Sequence, residues 1–271
     1  MARFLFWNIA KQPIAEEISA ACRENSVDVL VLAESALTDA ELLLALNNDS
    51  ERTYVSPFNP SAKLKFFTRY PHDRMSLVID EGGVSARLIR PPVGVEVLLI
   101  AVHLPSKLHM SNPEQTINAV RIADLVRKAE AISRNSHSLL LGDFNMDPFE
   151  DGMVSADGIH GVMDQRIARK LSRTVQGKDR EFFYNPMWSK LGDESTGPPG
   201  TFYYPSGHIS HFWHTFDQVL LRPSLLDYYS APGVVVLTRI GSRELLRGEK
   251  IDGRVSDHLP LLVELQVEKG A

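Results

Sequence analysis

The sequence predicts a mixed α/β protein whose core is two packed sheets with helices on the outside. Near-continuous apolar runs alternate with helical patterns in the first half, which is how strands covered on both faces read. Between residues 54 and 103 the strand-like runs are separated by turns too tight for crossover helices, which implies antiparallel hairpins. The length of 271 residues allows one large domain or two small ones, and no repeat, low-complexity tract or shift in composition marks a boundary, so the strands of both halves are expected to join in one core. The order of the motifs quoted below, which draws the first and last strands to one site, makes residues 1–271 one domain.

Residues 3–9 form a buried strand, and Pro13 opens a helix through Ile14, Ile18, Ala21 and Cys22 that ends near Asn25. Residues 27–33, VDVLVLA, are a second buried strand, and Thr38 with Glu41 makes a capping box for a helix over 40–47. Short strands follow at 64–68, 75–79, 84–89 and 95–103, punctuated by Pro71, Gly82 with Gly83, and Pro91 with Pro92. Pro113 opens a long helix whose apolar positions run from Ile117 to Ile132, and residues 138–142 return as a strand. Residues 150–214 are irregular apart from a helical pattern over 162–171, and are expected to lie as long loops over a sheet face. Strands at 216–221, 234–240 and 259–267 close the chain.

A length of 271 residues with 44% hydrophobic residues excludes a staple-dependent miniprotein. The single cysteine, Cys22, cannot form an internal disulfide and sits in an apolar helical pattern, so it is assigned to the core. No run has the length of a membrane span or a secretory signal, so no membrane insertion is expected and a cytoplasmic location is the default. A net charge of -5 argues against non-specific coating of polyanions while leaving room for a local basic site or a bound cation.

Polar residues recur at the ends of the apolar strands: Asn8, Glu34, His103, Asp143 with Asn145, and Asp257 with His258; Asp217 lies near the start of another. Taken singly, each has a bland explanation as a turn former or a satisfied core imidazole. Their repetition at strand ends argues for one convergent site, because a charge leaving a buried strand must be paired, metal-bound or placed at a cleft. Hard oxygen donors without a cysteine cluster favour Mg²⁺ or Mn²⁺ over zinc, with Glu34 as the first ligand.

The segments FWN (6–8), VLVLAE (29–34), FFTRYP (66–71), AVHLPS (101–106), LLGDFN (140–145), TFDQVLL (215–221) and SDHLPLLVEL (256–265) together resemble the ordered motifs of the endonuclease/exonuclease/phosphatase superfamily. Pancreatic deoxyribonuclease, abasic-site endonucleases and inositol polyphosphate 5-phosphatases share its fold. The resemblance implies a four-layer αββα sandwich of two mixed sheets flanked by helices, and a metal-dependent hydrolase of phosphoric esters. It implies that Asn8 and Asp257 support the metal site with Glu34. Asp143 would activate the attacking water, Asn145 would orient it or the phosphate, Asp217 would fix His258, and His103 and His258 would donate to phosphoryl oxygens. Arg69, in the segment resembling the family's S-R-Y-P turn, is a weaker substrate-binding candidate. Ala33, where a glutamine often precedes the metal-binding glutamate, and the lack of a glycine-bearing segment after Asn8 weigh against the abasic-site repair branch.

Substrate choice is expected to lie in residues 150–214. A cationic group, Arg166, Arg169, Lys170, Arg173, Lys178 and Arg180, reads as a solvated helix face or as a track for a polyanion. Among the aromatic residues, Tyr203, Tyr204 and Trp213 are candidates for stacking on bases. His208, His211 and His214 fit no helix face as zinc ligands. The leading expectation is a nuclease acting on DNA or RNA. Hydrolysis of a nucleotide, phosphoinositide or other small phosphorylated metabolite is the alternative, and a binding module that has lost activity is the third reading. No protein partner is expected.

Overall fold

The computed structural model describes residues 1–48, 53–206, 208 and 210–268; residues 207 and 209 of the predicted loop region lie outside the described set. The first half contains β1 (Ala2–Asn8), α1 (Ala15–Glu24), β2 (Val29–Ala33), α2 (Asp39–Asn47), β3 (Leu64–Thr68), β4 (Met75–Glu81), β5 (Val84–Ile89), β6 (Val97–His103), α3 (Asn112–Ser133) and β7 (Ser138–Asp143). Thr38 caps α2 through the expected box with Glu41, and Ser111 with Glu114 caps α3 in the same way. After β7 come α4 (Asp151–Val154), β8 (Gly161–Val162), α5 (Gln165–Ala168), β9 (Ser172–Val175), β10 (Lys178–Glu181), β11 (Phe183–Tyr184), β12 (Phe202–Tyr204), β13 (Phe212–His214), β14 (Asp217–Leu221) and β15 (Val234–Val236). Two minimal hairpins, β16–β17 and β18–β19 (Arg239–Ile240, Arg243–Glu244, Leu246–Arg247, Lys250–Ile251), precede β20 (Leu261–Leu265).

Two mixed sheets result, a five-stranded one in the order β15-β20-β1-β2-β3 and a seven-stranded one in the order β4-β5-β6-β7-β14-β11-β8. The strand period of two sorts the side chains between layers. In β6 and β7, Val97, Leu99, Ala101, Leu139 and Leu141 face the core shared with the other sheet, whereas Leu98, Ile100, Val102 and Leu140 face α3. Ala119, Ile122, Leu125, Val126 and Ala129 give α3 its apolar stripe on that outer face. Ile18, Cys22, Leu42 and Leu46 join α1 and α2 to the five-stranded sheet. The layers are therefore α, β, β, α, as expected. Among the described residues, no helix is long and apolar enough to cross a membrane.

Residues 150–214 depart from the expected loops. β8 and β11 extend the seven-stranded sheet, and two hairpins, β9–β10 and β12–β13, stand outside it. The helical pattern over 162–171 shrinks to α5 because the Asp164 carboxylate accepts from the amides of Arg166 and Ile167 at its start, and Leu171 turns left-handed (φ 70°) beyond its end. The cationic group is thus divided between α5 and the β9–β10 hairpin. Arg166 pairs with Asp164, Arg169 with Asp227 and Arg180 with Asp157, so much of its charge is spent locally.

Candidate active site

Three strands of the larger sheet end in register. His103 of β6 is paired with Asp143 of β7, which is paired with Asp217 of β14. All three share the parity of the inward-facing Ala101, Leu141 and Val219, so the row that fills the intersheet core with apolar groups ends in an imidazole and two carboxylates. The facing sheet supplies Asn8 from the end of β1 and Glu34 immediately after β2. Asn8 Nδ2 donates to Glu34 Oε1 at 3.3 Å and to Asp143 Oδ2 at 3.1 Å, tying the two sheets together.

The backbone is bent to make this possible. Glu34 (φ 49°) and Asn145 (φ 51°) both occupy the left-handed region, a strained state for a side-chain-bearing residue. The Lys11 amide secures Glu34 by donating to its carbonyl at 2.8 Å. Asn145 donates its backbone N–H to Asp143 Oδ1 at 2.9 Å and its Nδ2 to the Leu104 carbonyl at 2.9 Å. Gly142 (φ 150°) lets β7 approach β6, since a Cβ there would lie 2.0 Å from the Val102 carbonyl oxygen.

The segment before β20 delivers the last groups. Ser256 Oγ donates to the Asn8 carbonyl at 2.7 Å and accepts the His258 amide at 3.1 Å, while Trp7 Nε1 donates to the His258 carbonyl at 2.9 Å. The buried imidazole then sits with Nδ1 2.8 Å from Asp217 Oδ2 and Nε2 4.0 Å from both Asp143 Oδ2 and Asp257 Oδ1. Phe202, bridged to His258 through the backbone, lays its ring 4.7 Å from the imidazole.

Burial works against the charged imidazolium of His258, but the charge and hydrogen bond of Asp217, with Asp143 and Asp257, outweigh it and pull the group up to about 10. Burial pushes Asp143 upward, with His258 opposing and Asp217 adding to the rise. Glu34 is held at about 2, chiefly by its hydrogen bond to His103, 3.3 Å away, and is a carboxylate at any physiological pH. Among the described residues, Glu34, Asp143, Asp217 and Asp257 find no Lys or Arg within ion-pair distance, only imidazoles. Donor atoms of Asp143, Asp217 and His258 lie within 4.8 Å of one another. An excess of hard oxygen donors with no thiolate fits a divalent cation, and the site can hold a metal.

Glu34, His103, Asp143, Asn145, Asp257 and His258 line an open cleft of about 700 Å³, whose walls also include Lys11, Lys63, His109 and Phe202; Asp217 lies buried behind His258. A second hollow of about 580 Å³ shares Ser106, Leu108, Asn145 and Phe202 with it and is walled by Phe149, Tyr204, His214 and Phe216. His214 Nδ1 lies 2.8 Å from Asp147 Oδ2, a second Asp–His pair beside the first.

Asn8, Glu34, His103, Asp143, Asn145, Asp217, Asp257 and His258 thus come together, and Tyr204 borders the adjoining hollow. Tyr203 and Trp213 do not. Their rings meet edge to face at 5.3 Å on the other side of the β12–β13 hairpin and pack on the core, because alternate residues of the hairpin face opposite ways. Arg69 is also elsewhere. The antiparallel β2–β3 register puts Leu64 beside Ala33 at the site and Thr68 beside Val29 at the far end, where Arg69 lies over Tyr54. Sequence reasoning missed Phe202, Lys11, Lys63 and the Asp147–His214 pair; for Phe202 the available signal was its alternation with Tyr203.

The model of the Endonuclease/Exonuclease/phosphatase family matches residues 5–258, from β1 to the imidazole of the site. The chain belongs to the endonuclease/exonuclease/phosphatase family. Members are hydrolases acting on phosphoric ester bonds. An AP endonuclease from Archaeoglobus fulgidus has the same fold, with 13% identity, a TM-score of 0.57, and 98% of this chain and 100% of that one covered. A variant of the 3' phosphatase NExo from Neisseria, bound to a product DNA hairpin, aligns at 18% identity and a TM-score of 0.56 over 98% and 99% of the two chains. Humanized TDP2 from D. rerio aligns at 14% identity and 0.55 over 97% and 98%. No curated protein sequence matches the chain.

Proposed function

We propose that the protein is a divalent-cation-dependent phosphodiesterase that cleaves DNA or RNA. The observation that carries this reading is the in-register row His103, Asp143 and Asp217, of which His103 and Asp143 open with Glu34 and His258 onto one cleft while Asp217 holds His258 from beneath. Glu34 would be the principal ligand for Mg²⁺ or Mn²⁺, with Asn8 and Asp257 supporting it. The cation, when bound, neutralises charge on the phosphoryl oxygens.

Asp143 takes the proton of the attacking water, a role suited to a carboxylate whose proton affinity burial has raised. Asn145, fixed by its bond to the Leu104 carbonyl, orients that water or the phosphate. His258, oriented by Asp217 through Nδ1, presents Nε2–H to a phosphoryl oxygen, and His103 donates to a non-bridging or leaving oxygen. The P–O bond to the leaving group breaks as the bond to water oxygen forms, giving a phosphomonoester and an alcohol. The aromatic walls of the adjoining hollow suit a nucleoside beside the reacting phosphate, which favours nucleic acid.

The local pairing of Arg166, Arg169 and Arg180 with acids favours a second reading, a nucleotide or other small phosphorylated metabolite, since it leaves no long basic track. Hydrolysis of single-stranded DNA, duplex DNA, RNA and bis(p-nitrophenyl) phosphate with Mg²⁺ or Mn²⁺ separates the two. Activity retained by Asp143→Ala or Glu34→Ala protein would sink both.

A further inference from the structure

Arg87 is a charge where the sandwich has no evident use for one. It lies on β5 with the inward parity of Ile89, and only 1% of it is exposed. Among the described residues it has no carboxylate within ion-pair distance, and its Nε has no hydrogen-bond partner. The side chain instead crosses from the seven-stranded sheet to the edge of the five-stranded one. Its guanidinium lies 4.2 Å over the Phe66 ring, and Nη2 donates to the Phe58 carbonyl at 2.8 Å and to Asn59 Oδ1 at 2.9 Å. Burying a guanidinium with no carboxylate in ion-pair contact among the described residues is expensive, and burial pulls the group down to about 10 even though the more distant charge of Asp80 opposes the fall. A neutral side chain filling the same space would pack the core more cheaply, so the cost needs another return.

The segment that Arg87 holds, residues 57–63, runs directly into a wall of the catalytic cleft. Ala62 and Lys63 line that cleft together with His103 and His258, and Lys63 forms no ion pair among the described residues. Two further bonds stiffen the same segment: Asn59 Nδ2 donates to Ser56 Oγ at 3.2 Å, and the Lys63 amide donates to Ser61 Oγ at 3.1 Å. Ser56 Oγ in turn donates to Asp39 Oδ2 at 2.7 Å, so the segment is anchored to α2 on one side and to Arg87 on the other. Lys65, two residues on, is occupied by Asp39 and the Leu37 carbonyl, which leaves Lys63 as the cation the segment offers to the cleft.

We propose that Arg87 is a positioning residue that holds the 57–63 segment across the sandwich so that Lys63 grips the phosphate backbone of a polyanionic substrate outside the reacting phosphate. The assignment rests on the nucleic-acid reading above, and it makes substrate length a property that Arg87 controls. A substrate with a single phosphate uses the catalytic groups and has nothing for Lys63 to hold; an oligonucleotide has further phosphates that do.

The test compares KM for a single-stranded oligonucleotide with KM for bis(p-nitrophenyl) phosphate in wild type, Lys63→Ala, Arg87→Met and the double variant, across a salt series. For Lys63→Ala the KM ratio of oligonucleotide to small substrate is expected to rise roughly threefold to tenfold, and the log–log salt slope to flatten by about 0.7, one single-strand phosphate contact. Arg87→Met is expected to reproduce both changes, and the double variant to match Lys63→Ala within twofold, because both substitutions remove one contact. If Arg87→Met does not fold, Asn59→Ala removes an acceptor at the other end of the tether and is expected to move the ratio and the slope in the same direction. An unchanged ratio and slope in Arg87→Met, or in Asn59→Ala as its substitute, would overturn the assignment, as would fully additive effects in the double variant. Wild-type inactivity on both substrates would instead sink the phosphodiesterase reading and this assignment with it.

Discussion

Asp217 sits directly across the β7–β14 ladder from Asp143, and its Oδ2 holds Nδ1 of His258 at 2.8 Å. Two acids placed opposite each other in a buried ladder oppose folding. Their partner, the imidazole, is what makes the pair tolerable. Asp217→Asn keeps the shape and an acceptor for Nδ1 but removes one of the two charges. It should lower kcat by roughly 10²- to 10⁴-fold, the range of acid–base groups, and lower Tm at neutral pH, since the buried imidazolium loses its main counter-charge. Wild-type turnover, or an unchanged pH profile, in the folded variant would contradict the assigned role.

Glu34 carries its carboxylate from a left-handed backbone position. Glu34→Ala and Glu34→Gly should both abolish activity and the thermal shift on adding Mn²⁺. Glycine relieves the backbone strain, so Glu34→Gly should be the more stable of the two by about 1 kcal/mol, read from urea midpoints. The reverse order would show that the strain is not real.

Gly142 has no room for a methyl group: a Cβ would meet Val102 oxygen at 2.0 Å and nitrogen at 2.8 Å. Gly142→Ala should cost about 2–4 kcal/mol of stability and displace Asp143, lowering kcat more than the loss of folded protein accounts for. Equal urea midpoints in the two proteins would refute this.

The capping boxes of α2 and α3 titrate in acid. Glu41 is held below its ordinary 4.5 chiefly by the Thr38 amide, and Glu114 by the Ser111 hydroxyl and amide. A carboxylate with a depressed folded pKa contributes stability that is fully present above about 4.5 and is lost as pH falls through the folded value. The Tm gap between wild type and the Glu41→Gln/Glu114→Gln protein should therefore be constant above about pH 5.5 and narrow below about pH 4.5. A gap that stays constant down to about pH 3 would exclude the caps as its source.

The sequence exposed the chemical groups more readily than their neighbours. Apolar runs marked β1, β2, β6 and β7, and a polar residue ending such a run is visible without any pairing information. The row His103–Asp143–Asp217 is not visible, because it depends on β14 joining β7 across the whole irregular stretch between them. β8 and β11 escaped notice because two-residue strands carry no periodicity; they exist through the sheet they join. The sequence does not separate Phe202 from Tyr203 and Trp213 for the same physical reason, since which face of a three-residue hairpin meets the cleft is set by the bridge from Phe202 to His258. Arg87 gave no signal in a strand that otherwise reads as ordinary core.

β1 lies between β2 and β20 at the centre of its sheet, and the last imidazole of the site is fastened by Trp7 and by the carbonyl of Asn8. A chain still being synthesised holds Asn8, Glu34, His103 and Asp143 long before it holds His258. Until residues 256–265 emerge, β1 has an open edge, and the cleft lacks both His258 and Asp257. The groups proposed for hydrolysis are therefore complete only when the last strand is in place, so the site and the fold are finished by the same segment.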